Sequence, residues 1–265
     1  PEYSNKKGEK GKMNKILIFD LEGAMAHFRK FYTNSSSLSY AFPPRTVISG
    51  LIAGILGDER DTYYEKFSRE NCWIGLAIKT PIRKLVQSVN YIRTKELKEF
   101  TGSGGHTQIP IEFVMPQTEK EVLKYRIYFL HKDHKIMKDL KEWVKNGTIT
   151  YPPYLGLTEC PAKISFVDEG DIVIINEKVN HSLELFTVVP VDEIEIITIQ
   201  EGYRYMREDK VPVEFTKERR IKKVSSYIYE QNCKPIRNIK VKCKVFQVKY
   251  NEAGKEIEEF GVFME

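Results

Sequence analysis

Three features of this 265-residue sequence predict a mixed α+β protein: a βαββαβ body, interrupted by a projecting arm, then a smaller, mainly β region. Short apolar runs of strand type alternate with two stretches of helical spacing. A Gly-rich polar excursion separates two of the runs and cannot pack a core. From residue 168 onward only short strand-like runs occur.

The elements follow in order. Lys15 to Leu21 (KILIFDL) predicts strand one. Residues 23–43 mix small, aromatic and hydroxyl side chains without a period, which predicts a long surface loop. Pro43-Pro44 stops it, and Arg45 to Leu56 predicts a helix with Pro44 at its start and Gly57 as its cap. Gly50 and Gly54 cost that helix about 1 kcal/mol each relative to Ala, a cost that close approach of a neighbouring element often offsets. Residues 58–70 suggest a short helix. Cys72 to Thr80 is a second strand, 81–95 an extended run, Lys95 to Gln108 a flexible tip, and Ile109 to Met115 a returning strand. Lys124 to Leu130 predicts a strand. Lys132 to Asn146 predicts a helix with Ile136, Leu140, Trp143 and Val144 on one stripe and Gly147 as its stop. Ala162 to Val167 predicts the last strand of the body. Without the insertion this is the ferredoxin-like βαββαβ plan. Later strands are expected at 172–175, 183–189, 194–199, 203–206, 211–215, 224–229 and 240–249.

Three regions result: 1–12, a disordered arm or expression remnant before the expected start at Met13; 13–167, the ferredoxin-like body with its insertion at about 85–115; and 168–265, the β region. No secretory signal is read at the start, and no apolar run reaches the length of a membrane span. A cytoplasmic protein with reduced thiols is expected. The four Cys, at 72, 160, 233 and 243, form no CxxC pair, so a cysteine zinc site is not expected.

The formal charge is only +5, well short of a general nucleic-acid coat. It is unevenly spread. Residues 201–250 hold fourteen Lys or Arg against six Asp or Glu, whereas the last fifteen hold five Glu and one Lys. The basic segment suits either a solvated strand face or a phosphate-facing surface.

Walker A, G-x-G-x-x-G, HExxH and G-x-S-x-G patterns are absent. His27, His106, His131, His134 and His181 show no metal-ligand spacing, and no metal or cofactor is expected. Metal-independent RNA cleavage needs a base, an acid and a cation, which His27, Tyr32 and Tyr40 beside Arg29 and Lys30 could supply. The same set binds RNA without cutting it. Arg29, Lys30 and Arg45 flank a loop of hydroxyls that includes Ser35 and Ser36, suited to phosphate and ribose oxygens. Phe28, Phe31, Tyr32, Tyr40 and Phe42 offer rings for splayed bases, or pack the loop onto the sheet.

Gly23-Ala-Met-Ala-His-Phe-Arg29, Tyr40-Ala-Phe-Pro-Pro44 and Thr46-Val-Ile-Ser-Gly50-Leu-Ile-Ala-Gly54-Ile-Leu-Gly57 together resemble the opening of the fifth CRISPR-associated protein family. This is the RAMP-type subunit of type I surveillance complexes, here most similar to the type I-B-like variety. Tyr154-Leu-Gly-Leu-Thr-Glu-Cys-Pro161 is similar to a Gly-containing stretch further along that family. The likeness covers about 13–167 well and the rest loosely. It implies an RRM-like RAMP domain with an inserted β-hairpin thumb. It further implies a subunit that holds the 5′ repeat-derived handle of the crRNA and caps a row of backbone subunits. That subunit also meets the large subunit, and encounters target DNA mainly through the assembled complex. His27, Arg29, Lys30, Tyr32, Ser35, Ser36, Tyr40 and Arg45 are then the expected RNA contacts. Arg83, Lys84, Arg93, His106 and Gln108 are the candidate contacts of the thumb. One branch of the family is itself a processing endoribonuclease. In type I-B-like systems a separate enzyme normally makes that cut, so the resemblance implies a non-catalytic binder, with that nuclease and a protein-only assembly subunit as the alternatives.

Overall fold

The computed structural model describes residues 14–34, 36–175 and 183–265; the expected arm at 1–12, Met13, Ser35 and His181 lie outside the described residues. The fold is mixed α+β. Strand β1 (Asn14–Gly23) is followed by a small clip, β2 (Phe28–Arg29) and β3 (Ser39–Tyr40), and by helix α1 (Arg45–Leu56). Strand β4 (Cys72–Ile78) leads into a long hairpin, β5 (Ile82–Ile92) and β6 (His106–Pro116). Then come β7 (Leu123–His131), α2 (His134–Asn146) and β8 (Lys163–Ile175). The remainder comprises β9 (Leu183–Leu185), β10 (Val189–Pro190), β11 (Ile194–Ile197), β12 (Tyr205–Phe215) and β13 (Ile221–Glu230). It ends with β14 (Ile236–Val241), β15 (Val245–Glu252) and β16 (Lys255–Gly261).

The body strands lie in the order β8-β1-β7-β4, with all neighbours antiparallel. This is the fourth, first, third and second strand of a βαββαβ chain. Strand β1 is apolar almost throughout because both its faces are buried. Leu17, Phe19 and Leu21 share a core with Ile48 and Ile52 of α1 and Leu140 and Val144 of α2. Ile16 and Ile18 point the other way, into a second cluster with Tyr128, Phe246 and Val248. The sheet continues from β8 through β15 and β16. The segments that follow β9 and β16 return to β4, where Val188 N–H donates to the Leu76 carbonyl and Met264 N–H to the Ile74 carbonyl. A three-stranded sheet, β10-β13-β12, lies by α1, and its Tyr227 and Tyr229 pack edge-on against Phe42.

Helix α1 matches its expected bounds, with Gly57 in the left-handed region as the C-cap. Gly147 plays the same part for α2, and Asp133 caps its start by accepting from Lys135 N–H. Several expectations are corrected. Residues 58–70 form successive turns, not a helix, and Asp61 sits at φ +64°, where a right-handed helix cannot continue. The loop at 23–43 contains the β2–β3 clip. The runs at 203–206 and 211–215 belong to one bulged strand, β12, whose register shifts between Glu208 and Val211. The alternating run 240–249 divides between β14 and β15, which are not neighbours in the sheet; a period of two cannot register a change of sheet position. The acidic end forms β16, joined to β15 by the positive-φ pair Ala253-Gly254.

Candidate nucleic-acid interface

The hairpin β5–β6 pairs from Ile82 opposite Pro116 to Ile92 opposite His106. Eleven residues at about 3.4 Å each make an arm of about 37 Å. Its end is closed by a 3-10 turn at Leu97–Thr101, with Glu96 and Glu99 capping it reciprocally. Val86, Ile92, Leu97 and Phe100 are exposed along it.

The loop before α1 runs along the outer edge of this hairpin. Ala26 and Val114 exchange both backbone hydrogen bonds, at 2.9 and 2.8 Å. Ser37 N–H donates to the Pro110 carbonyl and Glu112 N–H to the Ser37 carbonyl, both at 2.9 Å. From beneath, the turn at Leu155-Gly156 supports the loop, with His27 N–H donating to the Leu155 carbonyl at 3.0 Å. Gly156 has φ +92°, and a Cβ there would overlap the His27 carbonyl. A Cβ on Gly23 would stand 2.7 Å from the Leu155 side chain. The two Gly-bearing stretches noted in the sequence therefore pack directly on one another.

His27 is 2% exposed. Its Nδ1 lies 2.8 Å from the Glu112 carbonyl and its Nε2 2.9 Å from Ser37 Oγ. The carbonyl can only accept, so Nδ1 carries the proton and Nε2 accepts from the serine. Burial lowers its pKa, partly opposed by the hydrogen bond to the Glu112 carbonyl. Arg29 is exposed, with no carboxylate partner among the described residues. Lys30 turns inward to Glu208, with Nζ and Oε2 2.6 Å apart. Phe31 and Tyr32 are 48% and 40% exposed and meet edge-to-face at 5.3 Å. Lys210 Nζ stands 5.5 Å from the Tyr32 ring centre, again with no carboxylate partner among the described residues. Burial raises the Tyr32 pKa, with help from Glu208 and Asp209. Ser36 is half-buried and Ser35 lies outside the described residues. Tyr40 is buried against the body and its hydroxyl donates to the Lys210 carbonyl at 2.6 Å. Burial holds its pKa well above the usual phenol range.

Arg45 departs from expectation. It is 2% exposed, and its guanidinium donates to the carbonyls of Phe67 and Cys72 at 3.0 and 2.9 Å, with Val213 O at 3.4 Å. It fastens α1 to β4 and β12 and offers nothing to a ligand at the surface. The arm's expected residues divide too. Arg83 Nε donates to the Pro116 carbonyl, and Arg93 pairs with Glu99. Lys84 is drawn to Glu208, Glu112 and the Ser39 carbonyl. His106 and Gln108 are exposed on the strand that returns from the tip.

The structure thus brings Phe31, Tyr32 and Lys210 together in an exposed ridge at the base of the arm, with Arg29 exposed two residues before Phe31. Lys210, Glu208 and Glu112 were not among the sequence candidates. The only trace of Lys210 was the basic bias of residues 201–250.

The sequence profile of a family described as CRISPR-associated protein (Cas_Cas5) matches residues 16–227. No curated protein matches the sequence. Among solved structures, the chain is similar to one from a CRISPR RNA-guided surveillance complex, at 12% identity and a TM-score of 0.47, over 84% of this chain and 91% of the other. It is similar to a CRISPR protein from Archaeoglobus fulgidus, at 14% identity and a TM-score of 0.47, over 92% and 98%. It is also similar to a chain of the type III-B Cmr-beta complex bound to cognate target RNA and AMPPnP, at 9% identity and a TM-score of 0.48, over 84% and 86%.

Proposed function

This chain belongs to the CRISPR-associated protein family (Cas_Cas5), and from that premise we propose that it is a non-catalytic, guide-RNA-binding subunit of a type I surveillance complex. In this reading a ferredoxin-like RAMP body holds the 5′ repeat-derived handle of the crRNA in the cytoplasm. The arm is the thumb that reaches a backbone subunit. The large subunit docks elsewhere on the body, and target DNA is met within the assembled complex. The type I-B-like variety is the closest fit to the N-terminal motifs.

The observation that carries the proposal is the pair of exposed cations Arg29 and Lys210, which have no carboxylate partner among the described residues, near the exposed rings of Phe31 and Tyr32. A cation with no neighbouring carboxylate is available to phosphates. Exposed rings take splayed bases, at about 1–3 kcal/mol per stacked base. The target sequence is then read by guide–target pairing, while this chain sets the end and register of the guide.

Binding without cleavage is supported by the state of two of the three candidate catalytic groups, His27 and Tyr40; the third, Tyr32, is exposed. Both nitrogens of His27 are engaged inside the protein, and the Tyr40 hydroxyl is committed to a carbonyl. A general base needs a free lone pair within reach of the proton it removes. The test is incubation of the full chain with labelled repeat-derived RNA in the absence of metal. Retention of intact handle RNA is expected. Specific cleavage overturns the reading in favour of a processing nuclease. Assembly with partner subunits but no RNA contact overturns it in favour of a protein-only role.

A further inference from the structure

We propose that Glu208 is the positioning residue of the ridge, clamping the loop and the arm to a bulge in β12 so that the surface is formed before RNA arrives. The proposal rests on the RNA-binding reading above.

Glu208 is 2% exposed, yet carries a carboxylate. One oxygen meets Lys30 Nζ at 2.6 Å and the other meets Lys84 Nζ at 2.7 Å. Lys30 belongs to the loop between β2 and β3, and Lys84 to the first strand of the arm. Lys84 Nζ also donates to the Ser39 carbonyl at 2.8 Å and lies 3.4 Å from Glu112. Glu112 in turn accepts from Ser39 N–H at 2.9 Å. Two cations and two carboxylates thus neutralise one another at the point where loop, arm and β12 meet. A half-satisfied cluster at this depth would leave a charge without compensation, so each partner holds the others in place.

The bulge explains how one strand serves both sides. Lys210 has φ +53°, and the register shift after Glu208 breaks the alternation of β12. Glu208 is thereby turned inward while Lys210 stands outward over Tyr32. The Lys210 carbonyl receives the Tyr40 hydroxyl at the other end of the clip. The exposed ridge is therefore set from a strand that follows it by about 170 residues. Lys30 and Lys84, committed inward, do not count among the phosphate contacts. A surface ordered in advance binds more tightly because the ordering cost falls outside the binding step.

The experiment compares the full-length chain with E208Q and E208D in two readouts. The first is affinity for single-stranded repeat-derived RNA over a salt series. The second is amide hydrogen exchange without RNA. If the competent surface falls to a tenth of the population, E208Q binds RNA about tenfold more weakly. Its salt slope stays unchanged, and exchange rises at 28–40 and at the base of the arm. E208D, which keeps the charge, recovers part of both. Tighter binding with a steeper salt slope in E208Q would overturn the proposal, because the carboxylate would then merely mask Lys30 and Lys84. Unchanged affinity overturns it as well. Should E208Q fail to fold, Lys30→Met removes one arm of the clamp and carries the same expectations. If the wild-type chain binds no RNA, the binding reading fails by itself, and the exchange data still decide the clamp. Unchanged exchange at 28–40 in the variant then refutes it.

Discussion

Gly156→Ala should be among the most damaging small substitutions in this chain. Gly156 occupies φ +92°, a conformation that costs an L-residue about 1–2 kcal/mol. The added methyl would lie 2.7 Å from the His27 carbonyl carbon and overlap its oxygen, and would come 3.2 Å from the Phe28 ring. Those contacts are to backbone and a buried ring, so the turn or the loop must shift, at about 1–3 kcal/mol. Separating the two also weakens the hydrogen bond from His27 N–H to the Leu155 carbonyl, worth about 1 kcal/mol. A loss of about 3–6 kcal/mol is therefore expected. Gly54→Ala is the matched control. Its Cβ would meet only Tyr151 Cβ at 3.9 Å, an ordinary contact, so the gain in helix propensity of about 0.5–1 kcal/mol should appear as added stability. Urea unfolding, followed by the fluorescence of Trp73 and Trp143, reads both midpoints against wild type. If Gly156→Ala lies within about 1 kcal/mol of wild type, the packing of the two Gly-bearing stretches does not hold the loop as described.

Other perturbations separate surface from core. Arg29→Ala and Lys210→Ala should each lower the slope of log affinity against log salt by about 0.7, the value for one phosphate of a single strand; an unchanged slope removes that residue from the interface. Arg45→Ala should leave the slope intact and cost about 1–3 kcal/mol of stability, because buried carbonyls of Phe67 and Cys72 lose their donor. Arg126→Met should cost about 3–5 kcal/mol, since buried Asp20 loses its nearest charge partner and keeps Lys124 at 3.7 Å, while Glu252 loses Arg126; a neutral result in thermal unfolding would argue against that network. Burial lowers the pKa of His27 and His131 from 6.5, so both contribute stability that is present above pH 6.5 and lost as pH falls through their folded values. Unfolding titrated across that window should show stability falling with acid, and a smaller fall in His27→Gln; an identical profile in the variant refutes the assignment.

Much of the body was legible in the sequence because its signals are local. The apolar run of β1, the helical spacing of α1 and α2, and Gly57 and Gly147 act within a few residues of themselves. The Gly-rich tip marked the arm for the same reason. Where a pattern depended on distant partners, the reading slipped. The bulge at Lys210 split one strand into two apparent runs, and the 240–249 alternation concealed a change of sheet position.

The candidate surface divides along the same line. Arg29, Phe31 and Tyr32 of the ridge were visible among the basic, aromatic and hydroxyl side chains between 23 and 45, whereas Lys210 was not. By itself the sequence determined most of the side chains that could serve the proposed RNA contact, though not Lys210. Tertiary structure alone decided which of them are free to do so. It turned Arg45 into the core, gave Lys30 and Lys84 to Glu208, and brought Lys210 to Tyr32 from the far end of the chain. The reason is that a cation's availability depends on the distance to its nearest carboxylate or carbonyl in space, and long-range strand register sets that distance.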